Sequence, residues 1–197
     1  MQNVRVFFEK TGMTKYISHL DLMRCMTRAI KRAAIPAWYT EGFNPHLFIT
    51  FALPLTLGVE SLCESMDIRL TEEMGFEEVK NRLNVNLPDG IRITNVAVPV
   101  YKANDIAFAE YKITFHTRKN EKIKNEIEEK LLCDELLAEK MGKQGKRKVL
   151  KTINLKEFVH SYSVISLNDK TVLTAVLTAG SKNTVSYTHL TLPTNSL

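Results

Sequence analysis

The chain has 197 residues, 44% hydrophobic and 25% charged, with a net charge of +5. That is the composition of a globular protein with one large or two small domains. No apolar run approaches the roughly 20 residues of a membrane span, no basic-then-apolar leader precedes the first patterned segment, and three widely spaced cysteines (Cys25, Cys63, Cys133) suit a reducing cytoplasm rather than a disulfide scaffold.

Residues 4–10 alternate, with Val4, Val6 and Phe8 on one face and Arg5, Phe7 and Glu9 on the other, the period of a strand. Gly12 ends it. Ser18-His19-Leu20-Asp21 has the form of a helix start: the serine oxygen accepts a backbone N–H, and the acid sits at the positive helix end. The helix is predicted to run to about Ala34. Leu22, Met26, Ala29, Ile30 and Ala33 share one side, Arg24, Arg28, Lys31 and Arg32 the other, and Pro36 stops it. Residues 38–46 form a loop with turn chemistry at 41–45 (EGFNP). Residues 47–52 and 64–70 read as strands. Phe76, Val79, Leu83 and Leu87 give a second amphipathic helix, closed by Pro88-Asp89-Gly90, and residues 91–98 give a fourth strand.

The order β-α-β-β-α-β over residues 1–102 predicts an α+β fold, a ferredoxin-like unit with two helices on one face of a four-stranded antiparallel sheet. The order begins again in residues 103–184. A strand is expected at 106–115, a helix at 120–138 on a spine of Ile123, Ile127 and Leu131, and a strand at 148–155. A hairpin follows at 159–167 and 171–178. This second α+β unit of similar type is incomplete, lacking the second helix and last strand. Residues 1–102 carry a net +1 and residues 103–184 a net +4, the latter concentrated in the basic run 143–151, read as a loop with Lys146, Arg147 and Lys148 at its centre. Residues 185–194 (VSYTHLTLPT) resemble the in-frame translation of a transposase sequencing adapter. Residues 185–197 are therefore set aside as a tail replacing the natural C-terminus.

No metal-ligand spacing, phosphate loop, dinucleotide fingerprint or nucleophile elbow occurs, so neither metal nor cofactor is expected. The segment 18–61 is the densest in usable groups. Arg24, Arg28, Lys31 and Arg32 make a cationic stripe. Trp38, Tyr39 and Phe43 offer rings, and Asn44 and His46 offer polar groups in the loop. Cations interleaved with flat rings suit single-stranded RNA. His19, oriented by Asp21 or Glu41, is the candidate general acid–base of an alternative, RNA-processing enzyme. A third reading has the stripe docking an acidic protein.

Residues 16–24 (YISHLDLMR), 34–36 (AIP), 41–46 (EGFNPH) and 53–61 (LPLTLGVES) resemble the radical-SAM-linked protein family, a domain of unknown function (DUF2344). The resemblance extends more weakly to about residue 180, and residues 152–157 (TINLKE) depart from the family's usual run there. It implies partners: a radical SAM protein, and by gene neighbourhood an E/G-type ribonuclease and ribosomal proteins. The chain lacks the cysteines of a radical SAM cluster, so the resemblance implies an accessory, RNA-binding module, not the radical enzyme.

Overall fold

The computed structural model describes residues 1–117, 119–144 and 147–180, and their side chains outside 138–151. The chain divides into two compact units, Met1–Ala103 and Asn104–Leu197.

In the first unit the strands are β1 (Gln2–Lys10), β2 (Ile49–Phe51), β3 (Ser61–Leu70) and β4 (Ile91–Ala97), and the helices are α1 (His19–Arg32) and α2 (Phe76–Asn86). The sheet order is β2-β3-β1-β4 and every pairing is antiparallel. Alternation decides which face is buried. Val4, Val6 and Phe8 of β1, Met66, Ile68 and Leu70 of β3, and Ile91 and Ile93 of β4 join one core with Leu22, Met26, Ala29 and Ile30 of α1 and Val79 and Leu83 of α2. On the other face Arg5 donates both Nε and Nη2 to the Asp67 carboxylate, at 2.7 and 2.8 Å. The two residues sit opposite each other in the β1–β3 register, so the bidentate pair adds a side-chain lock to the ladder.

Both ends of α1 are set by local chemistry. Ser18 Oγ accepts the Asp21 N–H at 3.1 Å, which satisfies one orphan donor of the first turn. At the other end Ala34 N–H donates to Lys31 O and Ile35 N–H to Ile30 O. This is a Schellman closure, with buried Ile30 and Ile35 as its hydrophobic pair. The closure needs a left-handed residue, and Ala34 takes that role at φ 50° without being glycine. Gly90, after α2, has φ 89°, and its carbonyl accepts Thr11 N–H and Thr14 Oγ1. The α2–β4 turn is thereby tied to the chain leaving β1.

In the second unit β5 (Phe108–His116) is followed by α3 (Asn120–Leu132), β6 (Leu137–Gln144), β7 (Arg147–Asn154), β8 (Val159–Leu167) and β9 (Lys170–Thr178). The order β5-β9-β8 makes one antiparallel sheet and β6-β7 a separate hairpin. Ile127 of α3 packs on Leu173, Ala175 and Leu177 of the central strand. Read from the edge, β8-β9-β5 repeats the β2-β3-β1 order of the first unit, with β6-β7 inserted after the helix.

Two expectations are corrected. The helix expected over 120–138 stops at Leu132, because its apolar spine ends there and the following segment finds better partners. Leu136 N–H donates to Asn154 Oδ1, Leu155 N–H donates to Leu136 O, and Leu137–Gln144 pairs along its whole length with β7. Residues 143–144 and 147–151 of the basic run are accordingly strand and not loop, with Arg147 and Lys148 in β7. Lys146 and the tail at 185–197 lie outside the described residues.

Two backbone substitutions test these closures by urea denaturation. Gly90→Ala places a Cβ 2.6 Å from Thr11 O at a left-handed φ and is expected to cost roughly 2 kcal/mol or more. Ala34→Gly relieves a left-handed alanine and is expected to stabilise by about 0.5 kcal/mol, net of the extra entropy of glycine.

Candidate functional site on the first helix

The exposed side of α1 carries the cations. Leu22, Met26, Ala29 and Ile30 hold one side of the helix in the core, so Arg24, Arg28, Lys31 and Arg32 are left exposed. Arg24 pairs with Asp21 at 3.0 Å. Lys31 Nζ stands 5.4 Å over the Tyr39 ring, and Arg32 Nη2 donates to Asn86 O at 2.6 Å. Arg28, Lys31 and Arg32 have no carboxylate partner among the described residues.

The segment after α1 is pinned to the sheet. Trp38 N–H donates to Arg69 O at 2.7 Å, and Tyr39 bridges to Leu47. The Arg69 guanidinium lies 5.0 Å from the Trp38 ring and 5.1 Å from the Phe48 ring, and the two rings meet edge-on at 5.6 Å. This is an ordered cation–aromatic stack. Beyond it Thr40 and His46 close the loop. Thr40 N–H donates to His46 O, and His46 N–H donates to Thr40 Oγ1. His46 Nδ1 lies 3.0 Å from the same hydroxyl and 3.3 Å from Asn44 O. His46 and the Asn44 backbone therefore shape the loop. At its tip Phe43 is fully exposed, and Glu41 and Asn44 are exposed beside it.

The amino end of α1 is a different environment. Asp21 accepts from Ser18 Oγ at 2.7 Å and from Arg24. The Ser18 hydroxyl first, and Arg24 second, hold its carboxyl below the usual range. His19 meets Phe51 edge-on at 5.0 Å, and its Nδ1 is buried without a hydrogen-bond partner. Neither acid considered for it is at hand. Asp21 is occupied by Ser18 and Arg24. Glu41 lies beyond the Tyr39–Leu47 bridge, and Leu47 is four residues from Phe51, about 13 Å of extended chain.

At the end of β1 lies a pair that the alternation of β1 and β3 turns inward. Lys10 is only 1% exposed, its ammonium donating to Lys15 O and Ile17 O, each at 3.4 Å. Burial pushes this amine down, partly offset by Glu64. Burial pushes the Glu64 carboxyl up, against the opposing pull of the Ser61 hydroxyl and of Lys10. The loop 53–61 docks alongside, through Gly58 N–H on Lys15 O and a Lys15–Glu60 ion pair at 3.2 Å. The alternation held the signal: Lys10 continues the series Val4, Val6, Phe8, and Glu64 begins the series Met66, Ile68, Leu70.

The two ends of α1 carry the motifs at 16–24, 34–36, 41–46 and 53–61, and the chain as a whole matches a family described as an uncharacterized protein conserved in bacteria (DUF2344), over residues 3–186. It belongs to that family. No curated protein matches the chain. Among the described residues of the DUF2344 chain no helix is long and apolar enough to cross a membrane. Among its described residues no group of three or more His, Cys, Asp or Glu is placed to hold a metal ion.

The Glu64 environment sets a pH dependence. Its carboxyl loses its proton later in the folded chain than at the ordinary value of 4.5. The stability it contributes is therefore full below that value and is lost as pH rises through the folded value. Glu64→Gln, measured by urea midpoints from pH 4 to pH 7, is expected to gain on the unsubstituted protein as pH rises.

Proposed function

We propose that this DUF2344 protein is a non-catalytic, RNA-binding accessory module whose working surface is the exposed side of α1 and the loop that follows it. The observation that carries this reading is a charge imbalance. No acid stands between Asp21 and Glu41, while Arg24, Arg28, Lys31 and Arg32 fall in that interval, and three of the four have no carboxylate partner among the described residues. Unneutralised cations along one helix attract phosphate. The Trp38–Arg69–Phe48 stack beside them and the exposed Phe43 are surfaces on which unpaired bases stack.

The hairpin β6-β7 is a second contact. Its register sets Lys143 opposite Lys148 and Lys140 opposite Lys151. Four lysines paired along one ladder concentrate positive charge on the hairpin, and positive charge draws a polyanion. The order βαββαβ with sheet order β2-β3-β1-β4 supports reading the first unit as ferredoxin-like. The β8-β9-β5 order supports reading the second unit as one of similar type. Fold alone does not fix function. The partners follow from the resemblance of the four motifs: a radical SAM protein, with an E/G-type ribonuclease acting on the same RNA, in the cytoplasm. An accessory role is preferred to an RNA-processing enzyme because His19 has neither Asp21 nor Glu41 to orient it.

Filter binding to single-stranded RNA over a salt series tests the reading. Affinity is expected to fall steeply with salt. Arg28→Gln with Lys31→Gln is expected to lower the slope of log K against log salt by about 1.4, at about 0.7 per contact to a single strand. Binding with no salt dependence, or none at low salt, would sink it. Partner capture that survives nuclease treatment would favour a protein-docking role for the stripe instead.

A further inference from the structure

The second unit contains a cavity of about 290 Å³ between the last turn of α3 and the edge strand β8. Leu131, Val159 and Tyr162 form its walls, and Lys130, Lys156 and His160 supply its polar groups. The geometry points to a nucleotide site here, with an unstacked base against Tyr162 and Leu131 and its phosphate on Lys130. Its lining residues all belong to the second unit, and the inference does not depend on the α1 reading.

Three features carry it. The first is how the cavity is opened. The β8–β9 register shifts between Val159 and Ser161, a bulge that re-aims successive side chains of an edge strand. Val159 stays against the core, while His160 and Tyr162 are left exposed. The second is charge. Lys156 Nζ donates to Leu132 O and Cys133 O at 3.3 and 2.5 Å, which neutralises the negative end of α3. With that end satisfied, Lys130 stands at the mouth with no ion pair among the described residues, and no described carboxylate lines the cavity. The third is shape. A cavity of this volume is at the small end of ligand sites, with apolar walls and few polar groups, and it suits one base rather than a larger body. His160 already lies against Phe108 at 4.8 Å, so a ring surface extends past the rim.

The same chemistry is offered by a free mononucleotide and by one residue of a single-stranded RNA. Titrating the isotope-labelled protein by NMR with adenosine monophosphate, adenosine, inorganic phosphate and an unstructured RNA hexamer separates them. The monophosphate is expected to shift the amides of residues 130–132 and 159–162. Tyr162→Ala is expected to weaken it about tenfold, the loss of one stacking contact, while Tyr162→Phe keeps the affinity and controls for folding. Lys130→Gln is expected to erase the advantage of the monophosphate over adenosine. A hexamer that binds more tightly than the monophosphate identifies RNA as the source, and the reverse identifies the free nucleotide. Arg28→Gln with Lys31→Gln leaves the monophosphate titration unchanged, so the two surfaces fail or stand separately. Inorganic phosphate producing the same shifts as the monophosphate, Tyr162→Ala binding like the unsubstituted protein, or no shift with either nucleotide probe overturns the site.

Discussion

The first unit turns on a buried cation. Lys10 ends the inward-facing series of β1, and its ammonium is held inside the protein by two backbone carbonyls. Taking an ammonium out of water is costly unless dipoles or a counter-charge replace the solvent. Here the carbonyls of Lys15 and Ile17 supply the dipoles and Glu64 the nearby charge. In satisfying Lys10, the chain is obliged to fold the 3-10 turn Gly12–Tyr16 back over the end of β1. That sets where Ser18 falls, and Ser18 sets where α1 begins. The same Lys15 carbonyl accepts Gly58 N–H, so loop 53–61 is seated by the group that seats the helix.

From that fixed start α1 runs to an equally fixed stop. The Schellman closure at Ala34 turns Ile35 into the core and delivers the chain to Trp38, whose N–H is taken by Arg69 at the far end of β3. Both motif-bearing loops are therefore positioned by one helix, but at opposite ends of it. His19 stands at the first of these ends, and the Glu41–His46 loop follows the second.

Much of this was legible in the residues. Period-two alternation located β1 and β3, the serine cap located the start of α1, and the hairpin at 159–178 was read from its turn. What escaped had two causes, charged identity at inward strand positions and pairing between distant segments. Lys10 and Glu64 occupy inward positions by parity, yet charged residues at strand ends read as solvated. Leu136, Leu137 and Ala138 prolong an apolar helical pattern, yet their backbone is claimed by β7 through Asn154. That is a long-range competition no local window contains. Arg69 likewise gave no sign of its place between Trp38 and Phe48, because that contact exists only once β3 and the post-helix segment are paired.

Three of the four cations of α1 have no carboxylate partner among the described residues. Exposed charges strengthen a helix when they find acids three or four residues away. The other two helices do so: Glu77–Lys80 and Glu78–Arg82 on α2, and Lys122–Glu126 on α3. On α1 the one such pair, Asp21–Arg24, is at the amino end, where the acid also serves the cap. Beyond it, Arg28, Lys31 and Arg32 crowd one another with no acid to offset them. Their repulsion works against the helix, and the C-terminal dipole compensates only Lys31 and Arg32, in the last turn. A surface arranged for folding alone would interleave acids there. On the proposed RNA-binding reading, the missing negative charge on this surface, beside ordered rings and a fully exposed phenylalanine, is supplied by the RNA.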